Sequence, residues 1–106
     1  SKSPAESFTL GLKEKYLIEE FSGKDNISVN ISLQCSLRFR IYSTSGIQKY
    51  ESQLFKDVQP GIFRIRLEHS VIIKLRSGMY ILCFTGVAKG GYIKNSKTLM
   101  IVNRYK

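Results

Sequence analysis

A chain of 106 residues is enough for one domain, which buries roughly 60–70% of the surface its unfolded form exposes. A hydrophobic fraction of 42% excludes a disordered polymer, and no apolar run approaches the ~20 residues that span a bilayer as a helix. The net charge of +9 is lopsided, with four Lys against five acids in residues 1–35 and thirteen Lys and Arg against three acids in residues 36–106.

The start, Ser1-Lys2-Ser3-Pro4, lacks the apolar segment of a signal peptide, so any export signal is expected outside this stretch. Residues 1–15 read as an N-terminal linker or edge segment, and 16–106 as the folded domain. In "LKEKYLIEEF" (12–21), Leu17, Ile18 and Phe21 suit one helical turn, while Tyr16, Ile18 and Glu20 suit an extended lead-in. "NISVNISL" (26–33) then alternates strictly, with Ile27, Val29, Ile31 and Leu33 on one face. "SLRFRIY" (36–42) repeats the pattern, turning Leu37, Phe39 and Ile41 inward and Arg38 and Arg40 outward. After the "STSG" turn comes "IQKYESQL" (47–54), and "VQPG" (58–61) is a second turn. "IFRIRLE" (62–68) alternates again, and "VIIKL" (71–75) reads as a short strand. "MYILCFTG" (79–86) is apolar on both faces, which predicts a central strand covered on both sides or one that packs across the sandwich. Ser77-Gly78 marks a corner into it, and Tyr80 can fill the core while its hydroxyl reaches a backbone partner at the rim. "AKGGYIKN" (88–95) carries a Gly-Gly hairpin signal, and "KTLMIVN" (97–103) supplies the last strand. Seven to eight short strands without a long helical stripe predict an all-β, antiparallel, Ig-like β-sandwich.

Chemistry-bearing constellations are sparse. Cys35 and Cys83 have no CxxC partner and only one His to accompany them, which excludes a Cys/His zinc cluster; one disulfide or two thiols both fit the spacing. His69 reads as a solvated turn histidine, since adjacent Glu68 would point to the opposite face of a strand. Glu19 and Glu20, as sequence neighbours, do not face one site. Asp25, Asn26 and Asp57 are turn formers, too few for a hard cation. "GVAKGG" (86–91) lacks the strand–helix context of a phosphate loop. The expectation is a non-enzyme with no cofactor and no metal.

The repeated basic pairs Arg38/Arg40, Arg64/Arg66 and Lys74/Arg76 would merge into one panel if their strands are neighbours. Such a panel suits an anionic polysaccharide, lipopolysaccharide or lipid surface. Sequence-specific nucleic-acid recognition would also need aromatic platforms, and the tyrosines do not cluster around those arginines. Lys and Arg on the solvated face of strands also serve solubility and edge protection alone.

From Tyr16 onward the order of signals resembles the Ig-like C-terminal sorting domain (type A) of type IX secretion substrates, and its relative in flagellar hook-capping proteins. The matching pieces are "KYLIEEFSGKDNISVNISL" (15–33), "LRFRIYSTSGIQ" (37–48), "VQPGIFRIRL" (58–67), "LRSGMYIL" (75–82) and the tail "NSKTLMIVN" (95–103). Ser43 stands where the family carries Asp, and Ile47 where it carries Arg. The resemblance implies a folded tag on a larger bacterial protein, secreted or at the cell surface and periplasmic in transit. Its implied partners are outer-membrane secretion and attachment proteins and the N-terminal remainder of the parent. Gly78, Met79 and Tyr80, with Lys97, Met100 and Val102 on the terminal strand, would be recognised by docking or strand addition. The competing reading is a generic Ig-like structural, assembly or adhesion module with a basic face for anionic glycan or lipopolysaccharide.

Overall fold

The structure, a computed structural model, describes residues 7–20 and 27–104. The Ser1–Pro4 start, Phe21, the "FSGKDN" loop with Asp25 and Asn26, and Tyr105 lie outside them.

Two sheets pack face to face, as the alternation requires. The small sheet joins β1 (Leu10–Gly11), β3 (Ile27–Ile31) and β7 (Gly61–Ile65) in the order β1-β3-β7, all antiparallel. The large sheet joins β2 (Lys15–Glu19), β9 (Tyr92–Asn103), β8 (Gly78–Ala88), β4 (Cys35–Ser43) and β5 (Gln48–Glu51) in the order β2-β9-β8-β4-β5. A further strand, β6 (Phe55–Val58), shares the free edge of β4 with β5. The inward residues of both sheets, among them Ile27, Val29, Ile31, Leu37, Phe39, Ile41, Leu82 and Phe84, meet in one core.

The structure departs from the expectation at two places. Within "LKEKYLIEEF" the strand β2 (Lys15–Glu19) runs parallel to β9, with Tyr16 opposite Met100 and Ile18 opposite Val102. Strands so far apart in sequence are not joined by a hairpin, so nothing obliges them to pair antiparallel. "VIIKL" is not a strand but the end of a single helical turn, α1 (His69–Ile72). Val71, Ile72 and Leu75 recur at helical rather than alternating spacing, and Ile72 and Leu75 are buried while Ile73 and Lys74 face out. Phe8 and Leu10 lie in the core, so the segment from residue 7 packs as part of the sandwich.

β8 packs across the sandwich, one of the two readings of "MYILCFTG". It is central, bonded to β4 along Cys35–Ser43 and to β9 along its whole length. Tyr80, Leu82 and Phe84 point into the core, and the Tyr80 hydroxyl donates to the Arg76 carbonyl at 2.8 Å. The opposite face, bearing Met79, Ile81, Cys83 and Val87, is not covered by any element of the described residues: Met79 is 55% exposed.

Candidate docking face

Strand register fixes which outward side chains lie side by side on the six-stranded sheet. Leu17, Ile101 and Met79 form one row across β2, β9 and β8. Lys15, Leu99, Ile81 and Tyr42 form the next, and Lys97, Cys83, Arg40 and Glu51 the third. Asn95, Thr85 and Arg38 follow, then Ile93, Val87 and Ser36. The first two rows are largely aliphatic, with Leu17 53% exposed and Leu99, Ile81 and Ile101 partly so. The third and fourth rows carry the cations. Arg40 Nε pairs with Glu51 Oε1 at 3.2 Å, whereas Arg38 Nε is buried with no hydrogen-bond partner among the described residues. Thr85 instead donates to Asn95 Oδ1 at 2.7 Å.

The three basic pairs do not merge. Arg38 and Arg40 sit on β4 of the large sheet, while Arg64 lies on β7 of the small sheet and Arg66 just past its end. Lys74 and Arg76 are exposed on the connection from α1 to β8, at the Met79 end of the large sheet. Of the tag-recognition residues, Met79 and Lys97 belong to the outer face. Tyr80, Met100 and Val102 are core residues, and Gly78 serves the backbone, with a φ of +151°. The terminal strand offers no free edge over Leu99–Asn103, because β2 occupies it.

Three further features escaped sequence reasoning. An open cleft of about 450 Å³ lies where the sheets diverge, walled by Phe39, Tyr50, Phe55 and Phe63 beside Arg64 and Arg66. The rings pair at 5.8 Å (Phe39–Tyr50) and 5.3 Å (Phe55–Phe63, edge to face). Glu20 is not solvated. Its side chain is buried and its Oε1 lies 3.5 Å from His69 Nε2 and 3.6 Å from Arg104 Nη2. Arg104 also donates to the Ile73 and Leu75 carbonyls, and its backbone N–H donates to Ser77 Oγ. The cluster therefore ties β2, α1 and the corner before β8 together. His69 opens the helical turn α1, and its side chain is 54% exposed.

The cysteines are free. Cys35 points inward and lies opposite Ala88, whereas Cys83 points outward and lies opposite Arg40. A five-residue offset on opposite faces of the sheet is far beyond disulfide reach. Burial raises both thiol pKa values above the ordinary range; at Cys83 the charges of Lys97 and Arg40 partly oppose the rise. Both are thus kept as unreactive thiols.

Among the described residues no three His, Cys, Asp or Glu side chains come together to hold a metal ion, and no helix is long and apolar enough to cross a membrane. Fold and side chains together define a two-sheet β-sandwich protein. Its fold is similar to that of CopC from Methylosinus trichosporium OB3b, with a TM-score of 0.60 over 93% of this chain and 96% of that one, at 13% sequence identity. No family model and no curated protein sequence matches the chain.

These findings correct the sorting-domain reading. The near-full-length likeness is to CopC and not to a type IX sorting domain, so the tag function and its outer-membrane secretion and attachment partners fall away. The physical reason lies in the motif itself. "LRSGMYIL" records a sandwich corner, with a glycine for the backbone and a tyrosine anchored on Arg76, and those needs are shared by sandwiches of unrelated function.

Proposed function

We propose that this protein is an Ig-like assembly or adhesion module that docks onto an anionic surface through the outer face of its six-stranded sheet. The observation that carries the reading is the pair of adjacent rows that sets Lys97, Arg40 and Arg38 together on the outer face. Lys15 extends the row system on one side, and exposed Arg76 stands at its Met79 end. A guanidinium lying flat on a sheet presents several donors to a phosphate, sulfate or carboxylate of a glycan or lipopolysaccharide. An exported setting, secreted or in periplasmic transit, belongs to the same proposal. The fold likeness to CopC supports it, and two thiols that cannot pair need no reducing compartment.

The test is retention on immobilised heparin and lipopolysaccharide as ionic strength rises. Binding is expected at low salt and lost as salt screens the contacts. Arg38→Ser and Lys97→Ser each weaken it about fivefold, the factor expected for one cation near an anionic surface. Arg64→Ser, on the other sheet, leaves it nearly unchanged. Binding indifferent to salt, or missing at low salt, rejects the reading.

A further inference from the structure

The same face holds an observation that charge does not explain. Solvated faces of antiparallel sheets are ordinarily polar, alternating against an apolar inner face. Here the two rows at one end place Leu17, Ile101, Met79, Leu99 and Ile81 in contiguous positions, with Tyr42 beside them. Four strands and two successive outward positions give a patch about 14 Å across the strands and about 7 Å along them. Two of its members, Leu17 and Met79, are more than half exposed. The apolar double face of "MYILCFTG" thus asks for a cover that the described residues do not supply.

The surroundings say what covers it. Lys15 stands within the second row, Lys97 and Arg40 lie in the row directly beside the aliphatic ones, and Arg38 lies one row further. Of the acids near this face, Glu51 is spent on Arg40 and Glu19 stands at the edge opposite Asn103. A second copy would bring a like charge of +9 against +9. A neutral apolar partner would leave the cations unused. We propose that this patch is a lipid-docking face, which rests its aliphatic rows on the acyl boundary of an anionic bilayer while the adjoining Lys and Arg reach the headgroup phosphates. Long basic stems suit that arrangement, since they lie along apolar surface and keep their charge at the polar level. The inference rests on the anionic-surface reading above and narrows it from any polyanion to an anionic lipid.

The experiment compares the full chain on three probes: heparin, phosphatidylcholine vesicles, and phosphatidylcholine–phosphatidylglycerol vesicles. Because the sequence has no tryptophan, Leu17→Trp supplies a reporter whose emission shifts to the blue only if the patch leaves water. The expected result is binding to the mixed vesicles but not to phosphatidylcholine alone, with a blue shift on the former. The Leu17→Ser/Met79→Ser variant, checked for an unchanged melting transition, should lose about tenfold in vesicle affinity and keep its heparin binding. Equal vesicle binding by that variant, or no blue shift, overturns the lipid assignment and leaves the polyanion reading standing. Loss of heparin and vesicle binding alike in the unmodified chain defeats both. A dimer that dissociates on Leu17→Ser/Met79→Ser, without vesicle binding, would assign the patch to self-association and overturn the proposal as well.

Discussion

Gly78 turns the chain into β8 with a φ of +151°, a conformation that side chains with a Cβ rarely adopt, and nothing lies within 4 Å of where such a Cβ would stand. The cost of an alanine there is therefore backbone strain rather than collision. Gly78→Ala is expected to lower unfolding stability by about 1–3 kcal/mol, measured by denaturant titration with an unchanged m-value. A neutral result would mean that the corner relaxes into ordinary β geometry. The thiols provide a second test at this scale. Their pKa values are raised in the folded chain, so the folded state holds its thiol protons more tightly than the unfolded one. That contribution is complete below the ordinary thiol value and is lost as pH rises through the folded values. Stability should fall above about pH 9, and a Cys35→Ala/Cys83→Ser chain should show a shallower fall. Identical pH curves would remove the thiols as its cause. The need for glycine at the corner and the anchoring of Tyr80 were legible in "LRSGMYIL", because both are local. The surroundings of Cys83 were not, since Lys97 and Arg40 reach it only through the register of three strands.

At the scale of elements, alternation revealed β3, β4, β7 and the β8–β9 hairpin, but it could not reveal how β4 finishes its free edge. Two short strands share that edge, β5 against Arg40–Tyr42 and β6 against Cys35–Leu37. Between them the backbone of Phe39 would be left bare. Ser52 closes the gap: its N–H donates to the Phe39 carbonyl and its hydroxyl accepts the Phe39 N–H, both at 2.9 Å, while that hydroxyl donates to the Gln53 carbonyl. A buried serine doing the work of a strand has no periodic signal, which is why "IQKYESQL" reads as one strand. Ser52→Ala removes the acceptor and leaves a buried amide unpaired, at an expected cost of about 1–3 kcal/mol. Hydrogen exchange supplies the specific readout: the Phe39 amide should lose protection in the variant while Leu82 and Phe84 keep theirs. Protection lost uniformly across β4 and β8 would point instead to global destabilisation. The helical turn α1 escaped for a related reason. Four apolar residues in five fit a strand or a turn of helix equally, and tertiary burial of Ile72 and Leu75 decides between them.

For the whole molecule, the decisive long-range fact is that the segment before β2 closes the sandwich. Phe8 is 1% exposed and Leu10 5%, and both reach β8 at the one position able to receive them. A Cβ added at Gly86 would stand 2.9 Å from Phe8 Cζ and 3.3 Å from Leu10 Cδ1, so the absence of a side chain there is what lets the N-terminal segment lie down. No local pattern announces such a pairing, because Phe8 and Gly86 are remote in sequence and neither belongs to a motif. This is why residues 1–15 read as a linker or an edge, and why the class of fold was legible while its closure was not. The contact makes a coupled prediction. Phe8→Ala should cost about 3–5 kcal/mol by opening a cavity in the core. Gly86→Ala should cost about 1–3 kcal/mol by forcing the ring aside. In the double variant the new methyl group enters the space the ring vacated, so the loss should fall short of the sum by at least about 0.5 kcal/mol. Equilibrium unfolding of the four chains measures that difference. Strict additivity would mean that the two positions do not touch, and that the six-stranded sheet holds its inner face without help from the start of the chain.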